Sequence, residues 1–153
     1  MDAIDCAILN ELRLNARISN RTLAEKVHLS PSAVLERVRR LRAQGVIHSF
    51  ATKLDAGKLG YNLIAVMELR IERNLCGSSI SEKLVQIPEI LEIYDVAGDC
   101  DYILKLVAKD SEALSNTMRA IGEIPGVLSS QTKLVLSTIK SEISPPVPPK
   151  DNI

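Results

Sequence analysis

His28 and Leu29 alone separate a short amphipathic helix predicted over 21–27 from a second helix that opens at Ser30-Pro31. Two helices joined by so tight a turn, the second of them basic, are the sequence form of a helix-turn-helix. Ser30 supplies a capping oxygen, and Pro31 stands at the first helical position, where its missing N–H costs nothing. Val34, Val38 and Leu41 recur at i, i+4 and i+7 and form the buried stripe of a helix over 30–41. Arg37, Arg39 and Arg40 put three guanidinium groups within four positions, and Gly45 follows as a stop signal.

Upstream, Ile4, Ile8, Leu9 and Leu12 fall at helical spacing. They predict a first helix from Asp2 to about Asn15, with Asp2 and Asp5 in its first turn, where the helix dipole favours acids. Ser19 or Asn20 caps the second helix, whose buried stripe is Leu23, Ala24 and Val27. Residues 46–54 are β-rich and suit a wing or connecting strand. The turn-forming run Asp55-Ala56-Gly57-Lys58-Leu59-Gly60 marks a domain boundary.

Charge divides at the same place. The chain is neutral, with 19 basic and 19 acidic side chains. Residues 1–50 hold eight Lys and Arg against five Asp and Glu, and the remainder holds eleven against fourteen. A basic unit joined to an acidic one is the asymmetry of a DNA-reading domain attached to something else.

The second half reads as a duplication. A strand over 63–72 places Leu63, Ala65, Met67, Leu69 and Ile71 on one face, and a helix with Ile80, Leu84 and Ile87 follows. Ile87-Pro88 then leads into a strand reaching Ala97. A strand over 102–108 comes next, then a helix from Ser111 with Leu114, Met118 and Ile121, then Ile124-Pro125 and a strand to about Ile139. The two Ile-Pro pairs lie 37 residues apart, each ending a helix and entering a strand. The order βαββαβ is the ferredoxin-like arrangement, with one sheet face under two helices. An apolar open face on the other side needs a partner, so a dimer at least is expected. The tail over 144–150, with four prolines, reads as extended or disordered.

Composition excludes several classes. At 46% hydrophobic and 25% charged the chain is globular. It has no apolar run long enough to span a bilayer and no apolar N-terminal signal, so a cytoplasmic address and no membrane partner are expected. Cys6, Cys76 and Cys100 are odd in number and irregularly spaced, which fits reduced thiols. His28 and His48 lack partners at metal-ligand spacing. No nucleophile elbow, P-loop or dinucleotide fingerprint is present, so neither an active site nor a cofactor is expected.

Two groups of residues carry chemistry. Away from the buried stripe of the third helix lie Ser32, Ala33, Glu36, Arg37 and Arg40, with Ser30 at its start. The first residues of a recognition helix meet base edges. Arg37 suits direct readout, since a guanidinium can bond O6 and N7 of guanine together. Arg39, Arg40 and Arg42 suit phosphates, and Arg17 and Arg21 can reach the DNA backbone from the preceding segment. The alternative is an exposed helix with solvated arginines, against which the tight turn and local charge excess both speak. The second group is Gly98-Asp99-Cys100-Asp101-Tyr102, between two strands. Glycine permits close ligand approach, and two carboxylates two apart can receive an ammonium group or a hydrated metal. A tight hairpin with solvated aspartates is the other reading, with Tyr102 packing on a strand face.

Taken in order, these elements resemble the Lrp/AsnC family, the leucine-responsive or feast/famine transcription regulators. The resemblance spans residues 2–140. It rests on Asp5, Ile8-Leu9, Leu12, Ala16-Arg17-Ile18-Ser19, Leu23-Ala24, Leu29-Ser30-Pro31-Ser32, Arg37-Val38, Leu41, Gly45-Val46-Ile47, Leu59-Gly60 and Gly98-Asp99-Cys100-Asp101-Tyr102. It implies an α+β chain with a (winged) helix-turn-helix and a ferredoxin-like βαββαβ domain for amino-acid effectors. It also implies homodimers that assemble into octamers or larger discs, and an effector seated between dimers. On that basis Val96, Ala97, Gly98, Asp99, Asp101 and Tyr102 inherit effector contacts, with Ser129, Gln131 and Thr132 from the last strand. At 48–50 the family's usual basic residue and glycine are replaced by His48-Ser49-Phe50, which touches DNA contact by this segment and not the fold. The expected division is a DNA-binding domain over 1–54 (helix-turn-helix 22–41), a linker over 55–62, an effector and oligomerisation domain over 63–140, and a tail over 141–153. The expected function is a sequence-specific regulator, bound to double-stranded DNA at the nucleoid and responsive to an amino acid. The alternatives are an architectural DNA-compacting protein without an effector, which would need more positive charge, and a stand-alone metabolite-sensing module.

Overall fold

The computed structural model describes residues 1–72, 78–142 and 144–148. The chain divides into two compact units, Met1–Lys53 and Leu54–Lys140, with the tail from Ser141 grouped with the first. Cys76 and part of the proline-rich tail lie outside the described residues.

The first unit is three helices, α1 (Ala3–Leu14), α2 (Asn20–Lys26) and α3 (Pro31–Ala43). Each has a side-chain cap. Asp2 accepts from the Asp5 amide at 2.8 Å, while Asp5 accepts from the Asp2 amide at 2.9 Å, a reciprocal capping box. Ser19 accepts from the Thr22 amide, and Ser30 from that of Ala33. Ile8, Leu23, Ala24, Val34 and Leu41 form the core, ringed by Ile4, Leu9, Leu12, Val38 and Ile47. Each buried Leu or Ile contributes about 1.5–3 kcal/mol.

The turn between α2 and α3 closes as a Schellman motif, the Leu29 amide donating to the Ala24 carbonyl at 3.0 Å. The left-handed residue it requires is His28, with φ 54°. The end of α3 uses the same device with Gly45 at φ 72°, the Val46 amide donating to the Leu41 carbonyl at 2.9 Å. The wing or connecting strand expected over 46–54 is not formed. Among the described residues no strand lies between α3 and residue 63, only a 3-10 turn at Gly57–Leu59.

The second unit runs β1 (Leu63–Ile71), α4 (Ser78–Val85), β2 (Ile90–Asp95), β3 (Tyr102–Ala108), α5 (Ser111–Gly122) and β4 (Val127–Leu134). The sheet order is β2-β3-β1-β4, antiparallel throughout, as in a ferredoxin-like fold. One face packs Ala65, Met67 and Leu69 of β1 and Tyr102, Leu104 and Leu106 of β3 beneath Ile80 and Leu84 of α4 and Leu114 and Ile121 of α5. The last strand ends at Leu134, short of Ile139.

The opposite face differs from the apolar surface that alternation suggested. Register puts Ile64, Val66, Ile103 and Val107 on it, but Glu68, Arg70, Glu92, Tyr94, Lys105, Gln131 and Lys133 share it. Lys105 pairs with Glu92 at 2.8 Å, and Lys133 pairs with Glu68. The face carries four apolar side chains on the two central strands, interspersed with Lys105 and Glu68, each held in an ion pair to an edge strand.

Candidate functional site

α1 meets α3 through charge. Arg37 Nη1 lies 2.6 Å from Asp2 Oδ2 and 2.8 Å from Asp5 Oδ1. Arg40 Nη2 lies 2.9 Å from both carboxylate oxygens of Asp5. Asp5 is 1% exposed, whereas the side chains of Arg37 and Arg40 keep 24% and 48%. Donation from Arg37, helped by the Asp5 amide, draws the Asp2 carboxyl down to about 2. Burial works to raise Asp5, but the Asp2 amide and Arg37 outweigh it and its shift is downward. Arg37 is raised in turn by Asp2 and then Asp5.

The expectation gave Arg37 to guanine, and in the structure it has other partners. Its guanidinium is committed to two carboxylates within its own unit, and Arg40 shares one of them. Both arginines fasten the recognition helix to α1. Ser30 is likewise engaged, its Oγ accepting from the Ala33 amide and lying 3.0 Å from Ser32 Oγ. On α3, Ser32, Glu36 and Arg39 are exposed and Ala33 is half-buried. Arg39 has no ion pair among the described residues. Arg21 is exposed and pairs with Glu25 at 3.3 Å, an exchangeable surface contact. Arg42 stacks over Phe50 at 5.8 Å.

In the second unit the loop over 96–101 is tied to β1. The Asp101 amide donates to the Leu69 carbonyl at 2.8 Å, and Asp101 Oδ2 accepts from the Ile71 amide at 2.9 Å. The Val96 amide closes the loop onto the Asp101 carbonyl at 3.0 Å. The carboxylate of Asp101 sits beside an irregularity in the β1–β4 ladder, where Arg70 pairs with Ser129 and Ile71 with Val127, leaving Leu128 over. Gly98 has φ 152°, and a Cβ there would meet nothing within 4 Å.

Beside this loop lies a cavity of about 420 Å³, walled by Glu68, Arg70, Asp99, Cys100 and residues 129–131 of β4. A shallower one of about 330 Å³ adjoins Arg70, Ile71, Gly98, Asp99, Asp101 and Leu128. Of the nine residues expected at an effector site, Gly98, Asp99, Asp101, Ser129 and Gln131 therefore line one cavity or the other. Val96 and Ala97 do not. Tyr102 is turned into the helix-covered core at 7% exposure. Thr132 opposes Met67 on that same face, its buried Oγ1 without a hydrogen-bond partner. Strand alternation is the reason: Gln131 and Thr132 cannot face the same way. Glu68, Arg70, Cys100 and Ser130 were missed. The signal was present in Glu68 and Arg70, charged residues alternating with Met67, Leu69 and Ile71 and so assigned to the other face.

Among the described residues no helix is long and apolar enough to cross a membrane. Residues 1–42 match the AsnC-type helix-turn-helix domain, and residues 64–145 match the Lrp/AsnC ligand binding domain. The chain is 34% identical to the HTH-type transcriptional regulator FL11 of Pyrococcus furiosus over 147 residues, covering 96% of this chain and 97% of that one. It is 36% identical to the transcriptional regulator AzlB of Bacillus subtilis over 150 residues, covering 96% of each. Its fold matches a Neisseria meningitidis transcriptional regulator in complex with L-methionine at a TM-score of 0.90 and 29% identity, covering 95% of this chain and 96% of that one. With a matching domain at each end and relatives aligned along nearly its whole length, the chain belongs to the Lrp/AsnC family of helix-turn-helix transcription regulators.

Proposed function

We propose that this regulator binds specific double-stranded DNA through α3 and answers to an amino acid bound beside the loop over 98–101. The observation that carries it is the cavity itself, whose wall offers both a cation, Arg70, and an anion, Asp99, in the ligand-binding domain. The structurally similar Neisseria regulator was crystallised with L-methionine, an amino acid. On α3, Ser32, Ala33 and Glu36 meet base edges, a glutamate being suited to accept from cytosine N4. Arg39 and Arg21 meet phosphates, with Arg17 and Arg42 beside them. Ser30, Arg37 and Arg40 hold the helix in place. One such helix on a neutral chain binds DNA weakly, so two copies act together on half-sites about 34–36 Å apart. The open sheet face, with Ile64, Val66, Ile103 and Val107 on its central strands, joins the copies, in dimers or larger homo-oligomers. The protein works in the cytoplasm, at the nucleoid, and needs no cofactor beyond the effector.

In vitro selection from random duplexes tests this. A twofold-symmetric consensus is expected, bound at least about a thousandfold more tightly than random DNA. Equal affinity for selected and random duplexes would contradict sequence-specific regulation and favour an architectural role.

A further inference from the structure

Arg70 and Asp99 stand where the two cavities adjoin, and each lines both. Neither has an ion pair among the described residues. The remaining charged group on the larger cavity's wall, Glu68, is paired with Lys133. The rest of that wall is Cys100, Ser129, Ser130 and Gln131, all neutral; Ser129 and Gln131, opposite Arg70 and Glu68, turn hydroxyl and amide groups to it, whereas Ser130 stands opposite Leu69 on the other face. We infer that the larger cavity takes a free α-amino acid with a neutral hydrogen-bonding side chain, such as a carboxamide, in preference to an aliphatic one.

The inference rests on the proposed effector role of this site and adds the chemistry of the ligand. Arg70 takes the α-carboxylate as a charge-assisted hydrogen-bond donor, and Asp99 takes the α-ammonium group. With those two charges answered, the wall holds no spare charge, so a second charge on the ligand's side chain goes unmatched. The Ser129 and Gln131 side chains lose water when the cavity fills. A carboxamide replaces those hydrogen bonds, whereas an aliphatic side chain leaves the wall groups unpaired. The exposed Leu128 makes the shallower cavity the competing seat for an aliphatic side chain.

Isothermal titration calorimetry of the full chain with glutamine, asparagine, glutamate, lysine, leucine and methionine separates these cases. Glutamine or asparagine is expected to bind about tenfold or more tighter than the other four. Arg70→Gln is expected to weaken every amino acid that binds, because it removes the carboxylate partner. The double variant Ser129→Ala with Gln131→Leu is expected to abolish the carboxamide preference while keeping the sheet, since both side chains are exposed. Leucine or methionine binding as tightly as glutamine overturns the inference and leaves the effector role standing. A preference unchanged in the double variant also overturns it. No binding by any of the six removes the effector role itself.

Discussion

Asp5 is almost out of water, so its charge must be answered inside the fold. Arg37 and Arg40 answer it, and through that contact they act as positioning residues for α3. Asp5→Asn is expected to destabilise the first unit by about 1–3 kcal/mol in urea unfolding. It is also expected to lower operator affinity, although the side chain is too buried to touch DNA. Arg37→Ala lowers affinity through the same contact, so the double variant should bind little worse than either single one. Independent, additive losses would instead make Arg37 a base reader. The acid limb gives a second test. Asp2 is lowered from 3.8 to about 2 chiefly by Arg37, and Asp5 is lowered as well. Folding therefore favours the ionised forms, and their stabilisation is complete above the ordinary carboxylate range and lost as pH falls from about 4 toward 2. Melting temperatures across this window should fall less steeply in Asp2→Asn than in wild type. The basic helix was legible in the sequence; its acidic partner was not, because Asp2 and Asp5 already had an explanation at a helix N-terminus. Both pairs are spaced i, i+3, and that matched spacing was the available clue.

At the scale of elements, the turn between α2 and α3 carries a cost. His28 holds a left-handed conformation that disfavours L side chains by about 1–2 kcal/mol, offset in part for glycine by its greater chain entropy. His28→Gly is expected to raise stability by about 0.5–1 kcal/mol, read as a higher urea midpoint with an unchanged slope. A lower midpoint would mean the imidazole makes a contact that matters more than the backbone. Caps, stripes and strand alternation made most helices and strands legible, since each is a local pattern. The failures were non-local. Residues 46–54 have strand composition but no partner strand here. β4 ends at Leu134, opposite Ala65 near the start of β1, and one further bond runs from the Val135 amide to the Ile64 carbonyl. Leu136 and Ile139 are accordingly 98% and 93% exposed. The cavity was half legible. The glycine loop and the polar start of β4 stood out, but the β1 wall became visible only once register set Arg70 opposite Ser129.

Over the whole molecule, a basic reading unit and an acidic sensing unit share one neutral chain. Neither accounts for regulation by itself: the first carries few free cations for DNA, and the second has no means of reading sequence. On the proposed function, occupancy of the cavity alters what α3 does on DNA, as a coupling free energy between two distinct sites. The loop over 96–101 is placed to take part, because its Asp101 bonds two backbone groups of β1, the strand that also supplies Arg70. The most direct measurement is operator affinity by fluorescence anisotropy, with and without the tightest-binding amino acid, in wild type and in Asp99→Asn. A change of about fivefold or more in wild type, absent in Asp99→Asn while its affinity without amino acid is unchanged, is the predicted result. An operator affinity that no bound amino acid alters would contradict the account.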